Sequence, residues 1–267
     1  MTDLSGEVCF ITGAGRGIGK ETAKYLSHCG AAMAVTDKDG DAAQAVAAEI
    51  RTLGGRAIGL TCDVSSTESV NQAVANCVAE FGALTLCNHN AAWTSFTHDQ
   101  SAETIDLAMW DRVINTNATG GLRLTQAVLP HFRAASRGSL VFISSGSASI
   151  GENARVAYGT SKAAIEQLMR HVAATFGREN IRCNAVAPGM ILTETAALAI
   201  SEASLAQLAA ENPLRRLGTG EDIAKVVAFL LSSDAAYVNG QVLRVDGGLT
   251  IAPRLGPGAG RASEEPN

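Results

Sequence analysis

Charge is scarce in this chain of 267 residues: only 18% are Asp, Glu, Lys or Arg, against a hydrophobic fraction of 46%. That balance excludes a disordered protein and is ample for a buried core. A basic excess is also missing. The net charge of −5 and a pI near 5.6 remove nucleic acid and anionic membrane surfaces from the expected partners. No uninterrupted apolar run is long enough to span a bilayer, and no basic segment followed by an apolar signal stretch opens the chain. The cysteines, Cys9, Cys29, Cys62, Cys77, Cys87 and Cys183, lack Cys-x-x-Cys spacing. His28, His89, His98, His131 and His171 lack metal-ligand spacing. No metal site is expected, and the thiols read as small apolar packing residues kept reduced in a cytoplasm. The interior has no Pro/Gly/Ser-rich linker, so residues 1–251 are expected to form one domain.

Short apolar runs alternate with longer amphipathic segments, the pattern of βαβ units around a buried parallel sheet. Strands are predicted at Val8–Thr12, Ala32–Thr36, Ala57–Thr61, Leu84–Asn88, Ser139–Ser144, Ile181–Ala187 and Gln241–Val245. Helical periodicity covers Gly17–Cys29, Asp41–Leu53, Thr67–Phe81, Trp110–Ala135, Val156–Gly177 and Gly220–Leu231. Right-handed crossovers then give an α/β fold, a doubly wound seven-stranded parallel sheet with helices on both faces. Two stretches break the rhythm, Trp93 to Met109 and Met190 to Arg216, the second Ala- and Leu-rich with Pro213 ending a short helix. Both are either substrate lids at the carboxyl ends of strands or ordinary surface loops. The tail, residues 252–267, carries Pro253, Pro257 and a closing Glu264-Glu265-Pro266, and reads as flexible and without chemistry.

The first strand runs straight into Gly13, Gly15, Gly17 and Gly19, and a helix follows. A dinucleotide pyrophosphate needs a tight turn, close backbone approach and a helix N-terminus with free amides, and glycines permit all three. The spacing is not Gly-x-Gly-x-x-Gly, so the position between strand and helix carries the inference. Asp37 ends the second strand, eighteen residues after Gly19, where a carboxylate can accept from the adenosine ribose hydroxyls. A 2′-phosphate there would meet that carboxylate at close range, which favours NAD over NADP. Arg16 and Lys38 are the cations that argue the other way. Asp63, after the third strand, either accepts from the adenine amino group or belongs to a helix N-cap near Ser65.

Tyr158 and Lys162 are four residues apart on a predicted helix, so they share a face about 6 Å apart along the axis. Ser145 lies thirteen residues before the tyrosine. An unperturbed phenol holds its proton too tightly to act as a base at neutral pH, and a neighbouring ammonium is expected to make it more acidic. These residues resemble the classical short-chain dehydrogenases/reductases, over about Gly6 to Thr250. The resemblance rests on the Thr12-Gly-Ala-Gly-Arg-Gly-Ile-Gly19 turn, Asn117 in Ile-Asn-Thr-Asn-Ala-Thr-Gly, Ser145 in Ile-Ser-Ser and Tyr158-Gly-Thr-Ser-Lys162. Pro188-Gly189 with Ile191 and Thr193, and the Gly240 to Gly248 ending, complete it.

The resemblance implies a Rossmann-type catalytic domain with a lid about residues 190–216. It also implies an NAD(P)-dependent enzyme that interconverts an alcohol and its ketone by hydride transfer. Tyr158 would be the acid/base, Ser145 would hold the substrate oxygen, Lys162 would bond the nicotinamide ribose, and Asn117 would hold a relay water. Ile191 and Thr193 would grip the carboxamide. The cofactor contacts implied are Gly13, Gly15, Arg16, Gly17, Ile18, Gly19, Asp37, Asp63, Val64, Asn90, Tyr158, Lys162, Pro188, Gly189, Ile191 and Thr193.

One segment departs from the family pattern. His89-Asn90-Ala91-Ala92 stands where Asn-Asn-Ala-Gly is usual; His89 changes a neighbouring contact, and Ala92 adds a methyl beside the expected ribose. Trp93 either walls the substrate pocket or packs the lid. The apolar residues Met190, Ile191, Leu192 and Ala196 to Ile200 suggest an apolar or cyclic secondary alcohol. The alternatives are an NADP-dependent reductase of 3-oxoacyl thioesters and a non-catalytic nucleotide sensor on the same fold. A homotetramer is implied by the resemblance, through Trp110 to Ala135 and Val156 to Gly177.

Overall fold

The computed structural model describes residues 2–194 and 201–251. The predicted tail and the lid residues Ala196 to Ile200 therefore lie outside the described residues. Seven parallel strands form one sheet: β1 (Val8–Thr12), β2 (Ala32–Asp37), β3 (Ala57–Thr61), β4 (Leu86–His89), β5 (Gly138–Ile143), β6 (Ile181–Pro188) and β7 (Val242–Val245). Their spatial order is β3-β2-β1-β4-β5-β6-β7. β1, β2, β4 and β5 are buried along their whole length, which is why they read as continuous apolar runs rather than alternating ones. Alternation survives inside them as a choice of core. Cys9 and Ile11 of β1 point to one hydrophobic cluster, Val8 and Phe10 to the other.

On the first face lie α1 (Gly17–His28), α2 (Gly40–Thr52) and α8 (Gly220–Leu231), which bury Leu26, Ile50 and Val227. On the second lie α3 (Thr67–Phe81), α5 (Gly120–Ala134) and α6 (Val156–Phe176), which bury Val70, Leu124 and Ile165. The chain changes face between β1 and β4, so their carboxyl ends open a crevice at the sheet's switch point. α7 (Glu202–Glu211) is the short helix expected before Pro213.

The predicted helix Trp110–Ala135 divides. α4 (Leu107–Ile114) starts earlier, capped by Asp106, and a wide π turn, Asn115–Thr119, separates it from α5. Tertiary demands outweigh local periodicity here. Within the π turn Asn117 is buried, and just beyond it Gly120 packs so closely on Val64 that a Cβ would lie 3.0 Å from Val64 Cγ2. β4 also ends one residue beyond the predicted strand, which brings His89 into register with Thr12. All six cysteines are buried and unpaired, and burial pushes the Cys62 thiol up to about 12. They are packing residues.

Gly19 is the tightest point of the glycine turn, since a Cβ there would overlap the Gly13 carbonyl oxygen and press on Asn90. Gly19→Ala should therefore lower stability by about 1–3 kcal/mol. A drop in urea midpoint at unchanged m-value checks this.

Candidate active site

Each strand that ends at the crevice delivers one group. From β1 the chain enters the turn with Gly13 and Gly17 at positive φ, +63° and +57°, which a side chain rarely adopts. Asn90, just past β4, donates from Nδ2 to the Gly13 carbonyl at 2.7 Å. Asp37, at the end of β2, is buried and accepts from the Gly15 amide at 3.0 Å and the Asp39 amide at 3.1 Å. The turn is thus fastened to both neighbouring strands. Helix α1 begins at Arg16 with no side-chain cap, whereas α2, α3, α4, α7 and α8 are capped by Asp39, Ser66, Asp106, Ser201 and Thr219. Uncapped amides at a helix start, Ile18 and Gly19 among them, fit a pyrophosphate. Thr193 passes over this turn, its Cγ2 3.7 Å from where a Gly17 Cβ would stand.

The remaining cofactor candidates sit around the crevice less uniformly. Asp63 Oδ1 accepts from the amide and hydroxyl of Ser65, at 2.8 and 2.6 Å, and the N-cap of α3 is Ser66. Val64 is buried against Gly120, so its side chain serves the core. Pro188 ends β6, and Gly189 lies so close to Asp246 that a Cβ would sit 2.7 Å from the Asp246 Cβ. Ile191 bridges to Gly218, which anchors the first residues of the lid segment. Ala92 is exposed.

The expected catalytic side chains converge from three elements. Ser145 follows β5, Tyr158 and Lys162 come from the first two turns of α6, and Asn117 from the π turn. Ser145 lowers the proton affinity of the Tyr158 hydroxyl. Lys162 Nζ lies 5.5 Å from the centre of the Tyr158 ring and donates to the Ile143 carbonyl at 2.8 Å. Asn117 Nδ2 donates to Ser161 Oγ and to the Trp93 carbonyl, both at 3.0 Å, while its Oδ1 accepts from the Trp93 amide at 2.7 Å. The side chain therefore staples Trp93 and α6 together.

One expectation is corrected. The phenol is not made more acidic in this arrangement: burial pushes Tyr158 above its ordinary value, with Ser145 opposing. Lys162 is itself buried and pushed down to about 8, which leaves it largely protonated at neutral pH.

Comparison with known proteins places this geometry. A family profile described as Enoyl-(Acyl carrier protein) reductase matches residues 13–250. The chain is 36% identical to a cis-4-hydroxycyclohexanecarboxylate dehydrogenase of Sinomonas cyclohexanicum, covering 91% of this chain and 96% of that protein. A solved 7 alpha-hydroxysteroid dehydrogenase, complexed with NADH and 7-oxo glycochenodeoxycholic acid, superposes with a TM-score of 0.88 at 34% identity, over 92% of this chain and 95% of that one. A gluconate 5-dehydrogenase of Burkholderia cenocepacia J2315, complexed with NADP and tartrate, gives 0.87 at 30% identity, over 94% and 98%. The chain belongs to the classical short-chain dehydrogenases/reductases. As a member of that family it is an NAD(P)-dependent oxidoreductase.

Two residues of this short-chain dehydrogenase escaped sequence reasoning. Asp99, in the irregular stretch before α4, is fully buried and accepts from the amides of Ala157 at 3.0 Å and Tyr158 at 2.9 Å. It caps α6 from 59 positions away, which no local pattern could reveal. His89 was visible only as a departure. In the fold it is fully buried, with Nδ1 3.2 Å from Thr12 Oγ1 and Nε2 3.3 Å from the Asn117 carbonyl. Thr12 Oγ1 already accepts from the amides of Asn90 and Ala91, so its own proton goes to Nδ1. Nε2 then carries the ring proton and donates to Asn117. A second proton on Nδ1 would face a hydroxyl with no lone pair to spare, and burial with the nearby Lys162 charge pushes His89 down to about 4.

Removing the Asp99 carboxylate strands two amides beneath Tyr158. Asp99→Ala should cost about 1–3 kcal/mol of stability, read by urea unfolding. For His89 the folded value lies below the ordinary 6.5, so the unfolded chain takes up the proton first as pH falls. Its contribution is complete above about 6.5 and is lost between there and about 4. The difference in unfolding free energy between the parent and His89→Gln should therefore shrink over that window in urea titrations.

Proposed function

We propose that the protein interconverts an apolar or cyclic secondary alcohol and its ketone with NAD, using Tyr158 as the acid/base. The observation that carries this reading is the placing of Lys162 Nζ 5.5 Å from the centre of the Tyr158 ring, on the helix that packs beside Ser145 at the carboxyl end of β5. When bound, the nicotinamide takes the hydride in oxidation and returns it in reduction. Tyr158 would take the substrate hydroxyl proton in oxidation as the phenolate, its own proton having first passed to solvent and the anion being favoured by the positive charge of a bound oxidised nicotinamide, and would give a proton back as the phenol in reduction. Ser145, whose proton goes to Ser147 without substrate, turns it to the substrate oxygen and holds that oxygen within reach of the phenol. Lys162 lends positive charge while protonated and bonds the nicotinamide ribose. Asn117 holds the relay water, in competition with the Ser161 and Trp93 bonds of its side chain and the His89 bond of its carbonyl.

Preference for NAD is supported by Asp37, whose carboxylate lies beside the Gly15 amide and would repel a 2′-phosphate. An apolar substrate is supported by Leu192, which is exposed at the start of the lid, by Phe96, and by the names of the two relatives that act on alicyclic hydroxyl groups. Six buried thiols suit a reducing cytoplasm. Assembly as a homotetramer through α4–α5 and α6 completes the reading, and light scattering should then give about four times the 27.5 kDa chain mass.

Tyr158→Phe should lower kcat about 10²–10⁴-fold on an alicyclic alcohol such as cyclohexanol while NADH binding persists. Parent-like turnover by this variant would end the acid/base assignment. NADH should bind more tightly than NADPH in fluorescence titrations, and Asp37→Ala should narrow the difference. Good turnover of polyols with none of alicyclic alcohols would overturn the substrate class.

A further inference from the structure

A second set of charged groups stands beside Tyr158, in the segment between Ser145 and α6. Arg155 is the N-cap of α6 and holds a left-handed backbone, φ +61°, that side chains rarely adopt. Its amide is fixed by the Asp99 carbonyl at 2.8 Å. A non-glycine residue held in that conformation by its surroundings is a feature of functional sites. From there its guanidinium lies 5.3 Å from the centre of the Tyr158 ring and 5.0 Å from that of Phe96. Tyr158 thus has two cations within cation–π reach, Lys162 from its own helix and Arg155 from the preceding segment.

Glu152 completes the set. Its carboxylate lies 2.7 Å from Arg155 Nη2 and accepts from Ser147 Oγ at 2.7 Å. Ser147 Oγ in turn accepts from Ser145 Oγ at 3.2 Å. Hydroxyl protons therefore run in one direction, from Ser145 to Ser147 to Glu152. A Ser145 proton drawn that way is turned away from the phenol oxygen, so Glu152 favours the protonated phenol while Arg155 favours its anion.

We propose that Arg155 and Glu152 are positioning residues of opposite sign that set the proton affinity of Tyr158, Arg155 through the ring and Glu152 through the Ser147–Ser145 hydroxyl chain. Among the described residues the other groups facing Tyr158 are Lys162 on α6, Ser145 after β5, and Asp99, whose carboxylate meets the Tyr158 amide rather than the ring. The directions of the two charges on the Tyr158 proton agree with this assignment, Arg155 lowering and Glu152 raising its affinity. Nothing here depends on the identity of the substrate.

The chain has only three tyrosines, Tyr25, Tyr158 and Tyr237, so ¹³Cζ-tyrosine NMR of the whole protein resolves each phenol, with Tyr158→Phe assigning the signal. Titrated between about pH 8 and 12, Arg155→Gln should delay the Tyr158 phenolate and Glu152→Gln should advance it, each by about half to one pH unit. Arg155→Lys, which keeps the charge, should stay nearer the parent than Arg155→Gln. Shifts in the same direction, or no shift in either neutral variant, would overturn the proposal. If Arg155→Gln does not fold, Glu152→Gln decides alone: an earlier phenolate supports the assignment, and an unchanged or later one refutes it. These readings need neither cofactor nor substrate, so failure of the alcohol–ketone assignment would leave them standing.

Discussion

The Thr12–His89–Asn117 bridge ties together the two halves of the crevice. Thr12 is the last residue of β1, His89 the last of β4, and Asn117 lies in the π turn before α5. One imidazole with a fixed tautomer joins them, so the glycine turn and the segment that supports α6 cannot move independently. The constraint works because the ring is dry. Buried, it stays neutral, and a neutral ring can accept from Thr12 and donate to Asn117 at the same time.

From Asn117 the order passes to the tyrosine helix. Its side-chain amide binds Ser161 on one side and the backbone of Trp93 on the other. A few residues past Trp93, Asp99 closes the N-terminus of α6 and fixes the first turns that carry Tyr158 and Lys162. The stretch that looked irregular in sequence is therefore structural support for the site. Its polar residues do what a core cannot: they satisfy backbone amides that would otherwise be buried without partners.

The central strands were legible because a covered parallel sheet writes them as unbroken apolar runs, and Val8–Thr12 needed no correction; neither did the edge strand Ala57–Thr61, whose burial alternates. The glycine turn, Asp37, Ser145, Tyr158 and Lys162 stood out as candidates because their spacing is local and their residue types are restrictive. The break within Trp110–Ala135 was not, since the amphipathic pattern runs through it and only the contacts of Asn117, Gly120 and Gly121 with other elements explain the wide turn. The phenol's proton affinity was misjudged for a similar reason. Helical spacing shows that an ammonium is near, but burial of both partners is a property of the packed molecule.

By itself the sequence determined the α/β alternation, the count of strands, the phosphate-type turn and the pairing of Tyr158 with Lys162, all of which follow from short-range periodicity. The tertiary structure alone decided which face each strand residue serves, the tautomer of His89, the capping of α6 by Asp99, and the placing of Arg155 and Glu152 around the tyrosine. Those contacts join residues far apart in the chain or turn on burial, and neither distance in space nor the loss of water is written in the order of residues.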